Sequence, residues 1–224
     1  MGTIKGKPRG YFEYILAVDC ETTGLCFENY ENDENPTYNP TTGERHQAIS
    51  WAFMLVRAED FAVLDELYVK VKWNENSLQQ RLKNPSFGKN AEQIHGLTID
   101  HLEENGIDEE EAVSKIGELI LKWFGPDNPI RLLGHNVHLF DLAFLRDLFK
   151  RHDILLKFAN RHLDSSSLGF GTVGAFNSDD LFATFGFEER GCHSSLEDIR
   201  MTVDSLKIIN QLWKIKVGLN AYRT

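Results

Sequence analysis

The sequence predicts one α/β domain, with a mixed five-stranded sheet (three antiparallel strands plus two parallel) flanked by helices. Three observations lead there. Apolar runs of strand length fill the first third of the chain, helical periodicity sets in after residue 90, and two further strand-like runs interrupt the helices. At 224 residues the chain can bury one sizeable core and is short for two, so residues 1–224 are expected to form a single domain.

Tyr11–Glu21 is the first expected strand, its apolar stretch Ile15-Leu16-Ala17-Val18 running into Asp19 and Glu21. Phe27–Gln47 is rich in Asn, Glu, Pro and Gly and reads as a long loop insertion, a length that usually accompanies function or mobility. Ala48–Val56 and Ala62–Lys72 complete an antiparallel meander. Asn90–His95 is a short helix ended by Gly96. Asp108–Phe124 is a longer one, with Ala112, Val113, Ile116, Leu119, Ile120 and Trp123 on one stripe. Its Glu109, Glu110 and Glu111 suit the positive end of the helix dipole. Pro126 and Pro129 break the chain before a strand at Ile130–Gly134. Leu139–Arg151 is a helix, Arg161–Leu168 a short strand and Ser178–Phe185 a short helix. The last helix runs from Ser195 to Val217, burying Leu196, Ile199, Val203, Leu206, Ile209 (or Ile208) and Trp213. Ser194 and Glu197 have capping-box spacing and set its start.

Composition excludes several classes. No window approaches the ~18 to 20 apolar residues of a membrane span. The amino-terminal apolar run ends in Asp19 and Glu21 without a small-residue cleavage site, so it is a buried strand and not a signal peptide. Met1-Gly2 lacks the Ser or Thr that myristoylation expects, having Gly6 there. A cytoplasmic protein without a membrane partner is expected. Cys20, Cys26 and Cys192 are too few and odd in number for a disulfide framework, and Cys20, Cys26 and His46 lack zinc-finger spacing. The net charge of −10 counts against a phosphate-rich partner, but it is uneven. Residues 1–112 carry 10 basic and 21 acidic groups, residues 113–224 carry 14 and 13, so the excess lies in the first half.

Three constellations could carry chemistry. In Asp19-Cys20-Glu21-Thr22-Thr23-Gly24-Leu25, strand alternation puts Asp19 and Glu21 on one face and Cys20 on the other. Two adjacent carboxylates repel unless a cation lies between them, and hard divalent ions take oxygen ligands. Gly24 lets the backbone turn and pass close to a ligand. In Gly134-His135-Asn136-Val137-His138-Leu139-Phe140-Asp141 the strand ends, the chain turns through Asn136, and Asp141 enters a helix's first turn, where helix-dipole complementation would also suffice. In His193-Ser194-Ser195-Leu196-Glu197-Asp198, the histidine precedes a helix and the aspartate lies one turn inside it, so both can face one space. Each alone also fits an ordinary surface.

Together, this order of motifs resembles the DEDDh exonucleases, the DnaQ-like family that includes proofreading subunits, oligoribonucleases and TREX-type enzymes. The resemblance runs from Val18 to about Leu212. Asp19 and Glu21 match the first acidic pair, Asp141 the second-motif aspartate, Asp198 the third, and His193 the histidine of this branch. Ile94-His95-Gly96-Leu97-Thr98 and Leu163-Asp164-Ser165-Ser166-Ser167-Leu168 are similar to further family segments. The resemblance implies an RNase H-like fold and 3′–5′ phosphodiester hydrolysis with two divalent cations, Mg²⁺ or Mn²⁺, about 4 Å apart. It makes Asp19, Glu21, Asp141 and Asp198 the metal ligands and His193 the general base. It also implies that Thr22, Thr23, Gly24 and Leu25 hold the terminal nucleotide, and that His95, Asn136 and Phe140 line the strand groove. Arg146, Lys150, Arg151, Lys157 and Arg161 offer phosphate contacts or simply a solvated face. Departures from the family are the long loop after Leu25, the three residues between Asn136 and Phe140 (wider than in proofreading subunits, as in the TREX group), and Ser50-Trp51 where many members have an acid.

The expected partner is a nucleic-acid 3′ end, single-stranded DNA first and RNA as the alternative, because no motif reports on a 2′-hydroxyl. A polymerase or replication partner is a further possibility, with the 27–47 loop available for it. A non-catalytic nucleic-acid-binding module would show decay at one of the five core positions, and none is decayed.

Overall fold

The structure, a computed structural model, describes residues 12–24, 46–73 and 91–221. β1 (Tyr14–Thr22), β2 (Ala48–Arg57) and β3 (Val63–Lys70) form the antiparallel meander. β4 (Leu132–Gly134) lies parallel to β1, and β5 (Leu163–Asp164) parallel to β4. The sheet order is β3-β2-β1-β4-β5, which bears out the expected mixed sheet.

β1 is central, and Ile15, Leu16, Ala17 and Val18 are all nearly inaccessible, which is why this strand reads as a continuous apolar run and not as an alternation. Leu16, Val18 and Cys20 pack with residues of α3 (Glu109–Phe124) and α4 (Asp141–Arg151) in one core cluster. Ile15 and Ala17 pack on the other face with Ile199, Val203, Leu206 and Ile209 of α7 (Ser195–Ala221). Gly134 permits the close approach of β4 to β1, since a Cβ there would stand 2.8 Å from the Val18 carbonyl oxygen.

The remaining helices are α1 (Ala91–His95), α2 (Ile99–Asn105), α5 (Ser165–Val173) and α6 (Ser178–Thr184). Two differ from expectation. Arg161–Leu168 is not a strand throughout: it pairs only at Leu163–Asp164, then turns into α5. Asp164 is the cause, because its carboxylate accepts from the Ser166 N–H and hydroxyl and so caps a helix there. α2 has no counterpart among the elements expected from the sequence. Thr98 starts it by accepting from the His101 N–H. Helix α4 begins at Asp141, two residues later than Leu139, because Val137–Phe140 form a turn entered through Asn136 at φ 58°. Most of the 27–47 loop lies outside the described residues, as do Leu25 and Cys26. Among the described residues no helix is long and apolar enough to cross a membrane.

Candidate active site

β1 and β4 are parallel, so their carboxyl ends share one edge of the sheet. Asp19 lies on β1 at that edge, enclosed by protein though still reached by solvent. Glu21 is two residues further along the same face of β1 and is buried. Asp198, also buried, comes from the first turn of α7, whose helical bonding opens with its N–H donating to the Ser194 carbonyl at 2.8 Å. A hydroxyl contact between Ser50 and Ser195 fixes that turn to β2 opposite Glu21. Ser50, the residue at the family's acidic position, thus has a structural task. Asp19, Glu21 and Asp198 each offer one carboxylate oxygen, all within 4.8 Å of one another.

Asp141 arrives from the other side of the sheet. It is the first residue of α4 and only 1% exposed, and it sits beside Cys20 while acting on Asp19 more strongly than any other charge. Both of its carboxylate oxygens are buried without a well-formed hydrogen bond, and so is Asp198 Oδ1. Such orphaned acceptors are costly unless something positive satisfies them. Their chemistry shows the same tension. Burial, followed by Asp141, Glu21 and Asp198, raises Asp19 well above the ordinary carboxylate range. Burial and then the Asp198 charge push Glu21 up to about 7, against the pull of His193 and Arg190. Burial drives Asp141 up to about 8, although the Cys20 thiol and nearby backbone N–H groups favour its anion. A set of hard oxygen donors that are close, buried and reluctant to ionise fits a divalent cation.

His193 precedes α7 on a loop tied to α1 by its N–H, which donates to the Ile94 carbonyl at 3.0 Å. Its Nδ1 lies 3.4 Å from Asp198 Oδ2, and that hydrogen bond raises the imidazole above its ordinary value, against a smaller effect of burial. With Nδ1 turned to Asp198, Nε2 is the nitrogen left to exchange a proton.

The other expected site residues fall into two groups. Thr22, Thr23 and Gly24 form the rim of the cleft. Thr23 is held by the loop's return: its N–H donates to the Gln47 carbonyl at 2.9 Å and its hydroxyl accepts from the Gln47 N–H at 3.0 Å. Gly24, at φ 150°, is required by His46, since a Cβ would stand 2.6 Å from the imidazole Cε1. The close neighbour at Gly24 is therefore a side chain of the protein, where the sequence suggested a ligand. His95 is buried with both nitrogens engaged. Nδ1 accepts from the Leu97 N–H at 3.0 Å, so Nε2 carries the proton and donates to the Thr22 carbonyl at 3.2 Å. Burial pushes it down to about 4, which keeps it neutral. Asn136 is exposed at the turn, where its N–H and that of Val137 donate to the Asp164 carboxylate. Phe140 packs partly into the core against Phe144. Of the basic residues, Arg151 is ion-paired to Glu109 and Asp147, Arg146 lies over the Phe158 ring and Lys157 donates to the Asp127 carbonyl. Lys150 and Arg161 are exposed.

Arg190 is a site residue that the sequence did not single out. Its side chain is 7% exposed, and Nη1 donates to Asp198 Oδ2 at 2.6 Å while Nη2 bonds Asp179. Burial disfavours its charge, but Asp198 and Asp179 outweigh that and raise it. The only sequence signal is a single arginine after two glutamates, three residues before His193.

The family model for exonucleases of the RNase_T type matches residues 16–206. No curated protein sequence matches the chain. Among solved structures, the nuclease domain of 3′hExo, a DEDDh family member bound to rAMP, superposes with a TM-score of 0.62 at 17% identity, over 90% of this chain and 93% of that one. Escherichia coli Exonuclease I in complex with a dT13 oligonucleotide gives 0.63 at 17% identity, over 91% of this chain but 43% of that one. A 3′-exonuclease solved in recognition of a histone mRNA stem-loop gives 0.61 at 17% identity, over 90% of this chain and 64% of that one. The resemblance and fold expected from the sequence are both borne out, and the chain belongs to the exonuclease family.

Proposed function

We propose that the protein removes nucleotides one at a time from the 3′ end of single-stranded nucleic acid, DNA in the first instance. The observation that carries this reading is the convergence of Asp19, Glu21 and Asp198 beside orphaned buried oxygens of Asp198 and Asp141. Asp19, Glu21, Asp198 and Asp141 would hold the divalent cations, Mg²⁺ or Mn²⁺. Bound there, such cations would supply charge to the phosphate and acidify water. His193 takes the proton of the attacking water on Nε2, and Asp198 at Nδ1 steadies the imidazolium that results. The water oxygen bonds to phosphorus, the P–O3′ bond breaks, and a proton returns to the departing 3′ oxygen. A nucleoside 5′-monophosphate and a chain one residue shorter leave the site.

The rim Thr22–Gly24 is held by Gln47, His46 and His95, a prepared seat for the terminal nucleotide. Known oligonucleotide and nucleotide complexes of proteins with this fold support a nucleic-acid substrate. The test uses end-labelled DNA and RNA oligonucleotides with Mg²⁺, with EDTA, and with Asp19→Ala. Stepwise shortening from the 3′ end, abolished by chelator and by the substitution, is expected. Activity that survives either one refutes the cation mechanism, and degradation of RNA alone refutes the DNA assignment.

A further inference from the structure

Arg190 has no part in the chemistry set out above, yet both Nη atoms of its guanidinium are engaged. Nη1 donates to Asp198 Oδ2 at 2.6 Å, Nη2 bonds Asp179 and reaches Ser178 Oγ at 3.4 Å, and the group lies 5.0 Å above the Phe182 ring. Asp198 Oδ2 therefore faces two donors, Arg190 and His193, while Oδ1 is buried without a partner. A carboxylate free to rotate can offer either oxygen to a cation. One clamped at Oδ2 can offer only Oδ1.

We propose that Arg190 is a positioning residue: it fixes the Asp198 carboxylate so that Oδ1 serves the cation and Oδ2 serves His193, with Asp179 of α6 holding the arginine in place. This rests on the reading that Asp19, Glu21 and Asp198 bind a divalent ion. Geometry, not charge, is the contribution. A positive group beside a cation site repels the cation, so charge alone would make Arg190 a liability. A planar fork that bridges two carboxylates is what lysine cannot reproduce, although lysine keeps the charge. The bridge also makes α6, which has no residue in the reaction, a support for the base.

The test is Mn²⁺ affinity, read from free-ion electron paramagnetic resonance, for wild type, Arg190→Lys, Asp179→Asn and the double variant. Turnover and KM on a labelled oligonucleotide, and melting in EDTA, are measured alongside. Arg190→Lys is expected to bind Mn²⁺ about 10-fold or more weakly, in the range for partners of metal ligands, and to lose kcat with KM nearly unchanged. Asp179→Asn, at an exposed position where folding is not at risk, should shift both in the same direction by less. The double variant should be no worse than Arg190→Lys. Wild-type affinity and turnover in Arg190→Lys would overturn the proposal, as would a raised KM with unchanged Mn²⁺ affinity, which marks a phosphate contact. Should Arg190→Lys fail to fold, Asp179→Asn decides: no effect there overturns the proposal. A wild-type protein that binds no Mn²⁺ would instead defeat the cation reading itself.

Discussion

Removing divalent ions should make the fold pH-sensitive in a direction opposite to that of most carboxylate clusters. Glu21, raised from 4.5 to about 7, and Asp141, raised from 3.8 to about 8, both ionise more easily unfolded than folded. For acids raised in this way, the native state is fully supported below the unfolded pKa, near 4, and loses support as pH climbs toward the folded values. Each tenfold difference in acidity between the folded and unfolded chain is worth about 1.36 kcal/mol. Between pH 6.5 and 8 the loss is then on the order of 1 to 2 kcal/mol for Asp141 and about 1 kcal/mol or less for Glu21. After burial, the Glu21 charge is among the causes that raise Asp141, so the two are not independent, and the combined loss is about 2 kcal/mol. At ~2 to 4 °C per kcal/mol for a chain of this size, the EDTA-treated protein should melt ~4 to 8 °C lower at pH 8 from this cause. Buried neutral histidines act the other way: burial holds His95 and His162 to about 4, so they weaken the fold below their unfolded value. Subtracting the melting curve in EDTA from that in Mg²⁺ cancels them. The Mg²⁺-induced rise in melting temperature should therefore grow from pH 6.5 to 8, and Asp141→Asn should abolish most of that growth. An equal rise at both pH values would refute the reasoning.

Three further substitutions each test a single set of contacts. Gly24→Ala places a Cβ 2.6 Å from the His46 ring at φ 150°, and should cost ~1 to 3 kcal/mol in urea unfolding and reduce turnover by moving the Thr22–Thr23 rim. Unchanged stability would mean that His46 yields freely. Asp164→Ala strips acceptors from the N–H groups of Asn136, Val137 and Ser166, and should lower stability by ~2 to 3 kcal/mol with loss of activity. Hydrogen exchange should show the Asn136–Val137 amides unprotected, and retained protection would count against it. His95→Phe removes the donor to the Thr22 carbonyl and the acceptor for Leu97, and should cost ~1 to 3 kcal/mol in urea unfolding. It should depress kcat, because Ile94 and His95 together join the His193 loop to the end of β1. Wild-type kcat would deny that link.

The legible parts of the fold are those where one physical pattern dominates. β1 announces itself because it is buried on both faces, and α3 because a single apolar stripe packs on the sheet. Arg161–Leu168 misleads because residues with strand-like neighbours follow an aspartate whose side chain can cap a helix, and capping is a local contest that an apolar run does not report. α2 escapes because only seven residues carry it, too short for periodicity to show, and its start depends on the single hydroxyl of Thr98.

Within the site, sequence spacing is informative about residues that share an element and silent about how elements meet. Asp19 and Glu21 lie together because a strand repeats every two residues, and Asp198 joins them because a helix start is readable from Ser194 and Glu197. Asp141 is the instructive exception. It comes from the α4 side of the sheet, next to Cys20, and stands outside the 4.8 Å group that the other three form. Three carboxylates thus form one group and Asp141 stands beside it, as the neighbouring charge that raises Asp19 most. An ion held by those three alone would leave the two buried oxygens of Asp141 with only the Cys20 thiol and nearby backbone N–H groups for support. The rest of the cost of burying that carboxylate is offset if a second positive charge sits beside it, or if Asp141 keeps its proton. Arg190 fills neither role, since both ends of its guanidinium are spent on Asp198 and Asp179. The burial of Asp141 is thus the feature of this chain that argues for a second cation: wild type should bind two Mn²⁺ equivalents and Asp141→Asn one, and a wild type that binds a single equivalent, lost in the variant, would tie all four carboxylates to one ion.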